Sequence, residues 1–261
     1  MISATALLML IACAAGTARG QAPQANGEWR SIPLVENGKV ADEWKFIGYG
    51  DFAVVDGAIK TEPDARGLGL LVYAKEKFGD CRIKVVYRSE GPRSNSGVYV
   101  RIDDGVLDAA KPAPAERTPD GKLTAKGEAN LKEASEKEQG PWYAVHHGFE
   151  VQIVDTADAF HRTGSVYSLA GAEPAPQSSE GSWRTMIITL KGDAIAVAID
   201  GKAVSEFDGD LAAARERKIW HEPKREPKRP RSGYLGLQTH DPGDVVSFKE
   251  IAVGPLEGVQ K

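Results

Sequence analysis

Cysteine is nearly absent from this chain, with two residues, Cys13 and Cys81, among 261. A disulfide framework is therefore excluded as the source of its stability. There is no apolar run of the ~20 residues that a spanning helix needs, and no heptad series, collagen period or internal repeat of fixed spacing. C-x-x-C, H-E-x-x-H, G-x-S-x-G, Walker and G-x-G-x-x-G elements are all missing. Their absence argues against a thiol redox pair, a zincin site, a nucleophile elbow and the common nucleotide cradles. Positive charge is not in excess either. The 33 Lys and Arg face 37 Asp and Glu, a net charge of -4 at pH 7, whereas a nucleic-acid partner calls for a positive surface field.

What is present is a turn-rich globular composition: 41% hydrophobic residues, 28 Gly and 15 Pro. That is enough apolar content to bury a core, and the length suits one large all-β domain. Residues 2–15 form an apolar run of the length found in export signals, and Ala18-Arg19-Gly20 sets small residues where cleavage before Gln21 would need them. The organisation expected is a signal peptide over 1–20, a linker over 21–28, one domain over 29–256 and a tail over 257–261. The protein is then exported, periplasmic or secreted. Leu10-Ile11-Ala12-Cys13 resembles a lipobox, so a lipid anchor at Cys13 is the alternative, and membrane contact goes no further than that. Cys81, left without a partner, reads as a small core hydrophobe.

Period-two alternation dominates the rest. Residues 82–88 (RIKVVYR), 98–103 (VYVRID), 149–154 (FEVQIV), 185–191, 194–200, 234–240 and 245–253 all show it, with earlier runs at 44–47, 52–55, 58–61 and 69–73. Such alternation marks half-buried antiparallel strands. Asp56-Gly57, Lys191-Gly192-Asp193 and Asp200-Gly201 supply tight hairpins between them. About a dozen short strands with few helices predict a two-sheet antiparallel β-sandwich of jelly-roll type. Two charged insertions interrupt it. Residues 104–148 hold one helix near 127–138. Residues 208–232 hold a short helical piece near 210–218 and the basic run HEPKREPKRPR, which is either solvated or an anion-binding loop.

If the strands at 98–103 and 149–154 pair, one face presents Tyr99 and Arg101 beside Glu150 and Gln152. Gln238 and His240 share a parity on a later strand. Such a set would hold a polyhydroxylated ligand through bidentate hydrogen bonds and ring stacking. On alternation alone, the ordinary wet outer face of a sandwich is the favoured reading. Trp142 and Tyr143 beside His146-His147 form either an aromatic wall or plain packing, and no ligand spacing marks those histidines or His161 as metal-binding.

The order of these motifs resembles the 3-keto-disaccharide hydrolase family, 3-keto-glucoside 1,2-lyases and 3-keto-2-hydroxyglucal hydratases with a concanavalin-A-like fold. The matching pieces are Leu34 to Trp44 (LVENGKVADEW), Asp56-Gly57, Asn95-Ser96-Gly97-Val98-Tyr99-Val100-Arg101, and Phe149 to Asp155 (FEVQIVD). They continue with Thr163-Gly164-Ser165-Val166-Tyr167, Trp183, Asp200-Gly201 and Gly236-Leu237-Gln238-Thr239-His240. Val35 stands where Phe is usual, and Arg184 follows Trp183 where Asn is common.

The resemblance implies cleavage of a 3-keto-glycoside. A ketone at C3 acidifies the C2 proton; its removal lets C1 expel the glycosidic oxygen, and water then adds to the glucal. Such a site needs a base, an electrophile at O3 and a proton donor. The expected roles are Glu150 as base, His240 as proton donor and Arg101 as the group holding sugar oxygens. Asn95, Tyr99, Gln152, Asp155, Tyr167, Gln238 and Trp142 are the expected binding residues. A divalent cation held by Glu150 and His240 would be an alternative electrophile. With no dinucleotide fingerprint in the chain, a separate oxidoreductase must supply the keto group. A non-catalytic glycan-binding module is the competing reading, and an ordinary glycosidase with two facing carboxylates the third.

Overall fold

The computed structural model describes residues 29–179, 181–226 and 228–256. The expected signal peptide, the lipobox at Cys13, the linker over 21–28 and the tail over 257–261 lie outside the described residues.

Every alternating run forms a strand. In chain order the strands are β1 (Arg30–Ile32), β2 (Val35–Glu36), β3 (Lys39–Val40), β4 (Trp44–Gly48), β5 (Asp51–Val55), β6 (Ala58–Glu62), β7 (Gly69–Phe78) and β8 (Cys81–Ser89). The series continues with β9 (Ser96–Ile102), β10 (Phe149–Ile153), β11 (Arg184–Lys191), β12 (Ala194–Ile199), β13 (Lys202–Phe207), β14 (Gly233–Thr239) and β15 (Val246–Gly254). The short β1, β2 and β3 carry too few residues for alternation to announce them. Asp56 and Asp200 both adopt positive φ, 51° and 49°, each followed by a glycine in the same region. That conformation twists a two-residue turn to match its strands, and Asp tolerates it better than most side chains.

Thirteen of these strands form two antiparallel sheets, and β2 and β3 pair as a separate hairpin. The larger runs β13-β12-β11-β8-β15-β6-β5 with β1 on β15, and the smaller runs β10-β9-β14-β7-β4. Between them lies the main core, fed by alternate positions: Leu71 and Tyr73 from β7, Val98 and Val100 from β9, and Leu235 and Leu237 from β14 meet Ile83, Val85, Ile188 and Phe248. Each fully buried aliphatic or aromatic side chain contributes about 1.5–3 kcal/mol. Cys81 sits in this core as a free thiol, and burial pushes its pKa up to about 11.

The outer face of the five-stranded sheet is not wet. Leu70, Val72, Tyr99 and Ile102 form a second apolar layer with Val106, Ala134, Trp142 and Val145. The cover comes from the 104–148 insertion, as helices α1 (Ala125–Glu136) and α2 (Pro141–His147). Helix α1 lies two residues before the expected span and is capped by Thr124, whose hydroxyl accepts the Gly127 N–H. Helix α2 was not expected; Pro141 at its first turn was the local signal. The helical piece expected near 210–218 is a turn over 211–214.

One irregularity redirects a strand. In β9, Tyr99 pairs with Gly236 and Ile102 with Tyr234, so Val100 and Arg101 together face the single residue Leu235. This is a β-bulge, and Arg101 takes φ 53° to make it. Beyond the bulge the parity of the strand is reversed.

Candidate active site

A cavity of about 300 Å³ opens where the helical cover stops on the five-stranded sheet. Its floor is polar. Tyr99 of β9, Glu150 and Gln152 of β10, and Gln238 of β14 line it, with Asn95 and His240 just beyond their strand ends. Register explains the convergence: β10 pairs with β9 so that Glu150 lies opposite Tyr99 and Gln152 opposite Gly97, while Tyr99 also faces Gly236 of β14.

Glu150 is the centre of the group. The Tyr99 hydroxyl donates to its Oε2 at 2.8 Å, and the Gln238 amide donates to the Tyr99 oxygen at 3.1 Å. Burial and the neighbouring carboxylate keep the Tyr99 phenol protonated, so it remains the donor to Glu150. The other carboxylate oxygen, Oε1, is buried with no protein partner. Gly97 makes room for it, since a Cβ there would stand 2.2 Å from that oxygen. Burial raises the Glu150 pKa to about 7, against the lowering effect of Tyr99, His240 and Gln238. The result is a carboxylate poised near neutrality with one oxygen held and one aimed at the cavity.

His240 stands across from it. Its Nδ1 bonds the Asp244 carboxylate at 2.9 Å, and Asp244 also accepts the Asp241 N–H at 3.2 Å. Burial disfavours the imidazolium, but the Asp244 hydrogen bond and the charges of Asp241, Asp244 and Glu150 outweigh it and raise the pKa. With Nδ1 committed, Nε2 is the nitrogen left to exchange a proton. Asp244 was missed in the sequence. Its signal was the i, i+4 spacing from His240 across a turn.

Asn95 Oδ1 and Gln238 Oε1 are further buried acceptors without partners. Gln152 spends its Oε1 on the Ile153 N–H at 2.8 Å, which leaves its NH2 as the group to offer a ligand. Tyr167 lines the cavity and its backbone N–H bonds the Glu150 carbonyl at 2.9 Å. Trp142 forms part of the opposite wall, with its ring 5.5 Å from that of Trp220.

Two expected site residues lie elsewhere. The bulge turns Arg101 away from the cavity; its guanidinium is buried at the sandwich edge, 3.4 Å from Asp80. Strict alternation predicted otherwise because it cannot register one extra residue. Asp155, past the end of β10, accepts the Thr163 hydroxyl at 2.5 Å and faces Arg184 at 3.6 Å, beside a separate surface cleft.

The histidines set aside as metal ligands are engaged separately. His146 is buried; its Nε2 bonds the Ser135 carbonyl, and its Nδ1 accepts the Lys224 N–H at 3.0 Å. His147 pairs with Glu138, and His161 with Asp158. Among the described residues no three His, Cys, Asp or Glu side chains converge as a metal cluster. A divalent cation between Glu150 and His240 would have to complete its sphere with neutral amide oxygens and oxygens of the ligand.

The basic run is also engaged. Lys224 bonds the Glu136 carbonyl and the Glu138 carboxylate, both at 3.0 Å; the Arg229 Nε reaches the Gly148 carbonyl at 2.6 Å; and Arg231 pairs with Asp193. These cations fasten the 208–232 strap over the helices. The strap delivers Trp220 and His221 to the cavity wall.

The sequence model of the 3-keto-alpha-glucoside-1,2-lyase-like domain matches residues 28–254. No curated protein was found to match. Among solved structures, two candidate glycosyl hydrolases from Parabacteroides distasonis ATCC 8503 are similar. One is 18% identical with a TM-score of 0.57, over 88% of this chain and 100% of its own. The other is 16% identical with a TM-score of 0.52, over 85% and 92%. At these identities they attest the sandwich fold. A Bacillus subtilis protein described as having a galectin-like fold is similar at 12% identity and a TM-score of 0.49, over 87% of this chain and 98% of its own.

Proposed function

This chain belongs to the 3-keto-alpha-glucoside-1,2-lyase-like family, and on that premise we propose that it cleaves 3-keto-glycosides by proton abstraction and elimination, with hydration completing a net hydrolysis. The observation that carries the proposal is Glu150, a buried carboxylate with a pKa of about 7 and one unpartnered oxygen, set in the polar floor of the cavity. A site that only held sugars would gain nothing from a carboxylate at the edge of ionisation.

In the reaction, Glu150 Oε1 takes the C2 proton, and the C–H electron pair passes into the enediolate on O3. The Gln152 NH2 offers the hydrogen bond that this oxygen needs as charge develops. The C1–O bond then breaks as the C1–C2 double bond forms, and His240 Nε2 gives its proton to the departing oxygen. Addition of water across C1 and C2 would return a proton to C2 and leave a 3-keto sugar. Tyr99 and Gln238 hold the base, and Asp244 holds the donor. Glu150 and His240 are also the residues that would hold a divalent cation, which would supply Lewis-acid polarisation of the substrate oxygens; we assign both residues to proton transfer.

The protein is exported, and an oxidoreductase elsewhere installs the ketone. Its substrate is a neutral sugar rather than a nucleic acid.

The test is NMR of the mature protein, residues 21–261, with a 3-keto-disaccharide and its unoxidised parent, with and without chelator. The keto sugar alone should turn over, at an unchanged rate in chelator, and Glu150→Gln should lose about 10²–10⁴-fold. Saturable binding of the parent sugar with turnover of neither would make this a glycan-binding module. Chelator-sensitive turnover would move Glu150 and His240 to ligand roles.

A further inference from the structure

The cavity is assembled from two sources. Its polar floor comes from β9, β10, β14 and their ends. The facing wall comes mainly from the two insertions, with Leu123, Leu131, Trp142 and Val145 from residues 104–148 and Trp220 from the strap. From this division we infer that the insertions form an aglycone subsite, and that the substrate is a 3-keto-glucoside carrying an apolar alkyl or aryl aglycone instead of a second sugar. The inference rests on the reaction proposed above, because that reaction fixes the keto sugar over Glu150 and leaves its C1 substituent to the rest of the cavity.

The wall has few polar groups to offer a second sugar. Arg117 is the cation beside it, and each of its three guanidinium nitrogens already makes a hydrogen bond to the protein. Nε donates to the Ala65 carbonyl at 3.0 Å, Nη1 to the Gly121 carbonyl at 3.1 Å, and Nη2 to Asp241 at 2.6 Å. His221 and Asp241, the partner of Arg117, are the other polar side chains there; burial lowers the His221 pKa, which keeps it a neutral imidazole. A pyranose ring carries hydroxyls around its rim. Seated against Leu123, Leu131 and Val145, it would leave several of them dehydrated and unpaired, which is costly. An alkyl or aryl group loses nothing there and gains by leaving water.

Leu123 adds an independent sign. It sits in the loop before α1 and remains 39% exposed at the cavity rim. A large aliphatic side chain held open to water beside a site is explained when a ligand covers it. The volume, about 300 Å³, is at the small end of ligand sites and suits one sugar ring with a short chain or a single aromatic ring.

The experiment uses methyl, propyl and hexyl 3-keto-α-glucosides, whose leaving alcohols differ little in acidity, beside a 3-keto-disaccharide. The expected result is a rise in kcat/KM along the alkyl series, about fourfold for each methylene fully buried, with the disaccharide below hexyl. Leu123→Asn, at an exposed position where folding is not at stake, and Leu131→Asn should each reduce the hexyl-to-methyl ratio. A flat series with the disaccharide preferred would overturn the aglycone assignment and leave the reaction standing. Should no keto sugar turn over, the reaction itself has failed. The subsite is then read by calorimetry with unoxidised alkyl glucosides, which cannot eliminate: affinity rising with chain length supports it, and equal affinities overturn it.

Discussion

Glu150 meets two opposed demands. Its burial raises the pKa from 4.5 to about 7, so between those values the folded protein holds a proton that the unfolded chain has released. The sign follows from linkage. Stability is complete below about 4.5 and falls as pH rises to 7, by about 3 kcal/mol at ~1.4 kcal/mol per unit. Glu150→Gln removes the ionisation, so at pH 8 the variant should be about 1–3 kcal/mol more stable than the parent by urea unfolding, and at pH 4.5 the gain should vanish. The same group sets the acid limb of kcat/KM, which should rise with pH through about 7. His240 must keep its proton and sets the falling limb. Asp244→Asn removes the partner that raises the His240 pKa, so that limb should move to lower pH.

At the scale of the element, the strap over 208–232 shows how a polar segment becomes a wall. Glu222 is wholly buried in it, accepting the Lys218 N–H at 2.6 Å and pairing with Arg215 at 3.3 Å. Trp220 is anchored from the other side, where its carbonyl accepts the Ser135 hydroxyl at 2.7 Å. Removing one partner of a buried pair leaves the other uncompensated. Glu222→Ala should therefore loosen the strap: Trp fluorescence should shift to the red, and KM should rise more than kcat falls.

None of this was legible in the run HEPKREPKRPR, because a charge run looks the same whether its partners are water or a neighbouring helix. Strands were legible because each alternating residue faces a core or its opposite. The pairing of Glu150 with Tyr99 followed from the same parity. The covered outer face did not follow, since period two reports that a strand has two faces and not what lies on the second. Helix α2 escaped because Trp142, Val145 and His146 are buried from several sides, which blurs any helical stripe.

For the whole molecule, the β-sandwich and its additions differ in what secures them. The central strands β8 and β11 sit inside the larger sheet, paired on both sides and packed on the main core. The insertions rest on one layer of apolar contacts and a set of hydrogen bonds, many of them exposed. Native-state hydrogen exchange should find β8, β11 and β14 opening only with global unfolding. Amides over 104–148 and 208–226 should exchange through smaller openings at lower free energy. Uniform protection across both would mean that the additions fold with the sandwich as one unit. Outside the hairpins β5-β6 and β11-β12-β13 most pairings are long-range, β14 lying between β7 and β9, which places folding in the millisecond-to-second range.

The bulge at Val100 and Arg101 works like an inserted letter in a two-letter code. Ahead of it, the odd-numbered position faces the cavity, as Tyr99 does. After it, the even-numbered Ile102 takes the same face and serves the packing under α2. Straighten the strand with both residues kept, and Arg101 would be carried toward the helices and Ile102 toward the main core. A chain of this family with strict alternation here would have to house its guanidinium, and roof its cavity floor, in some other way.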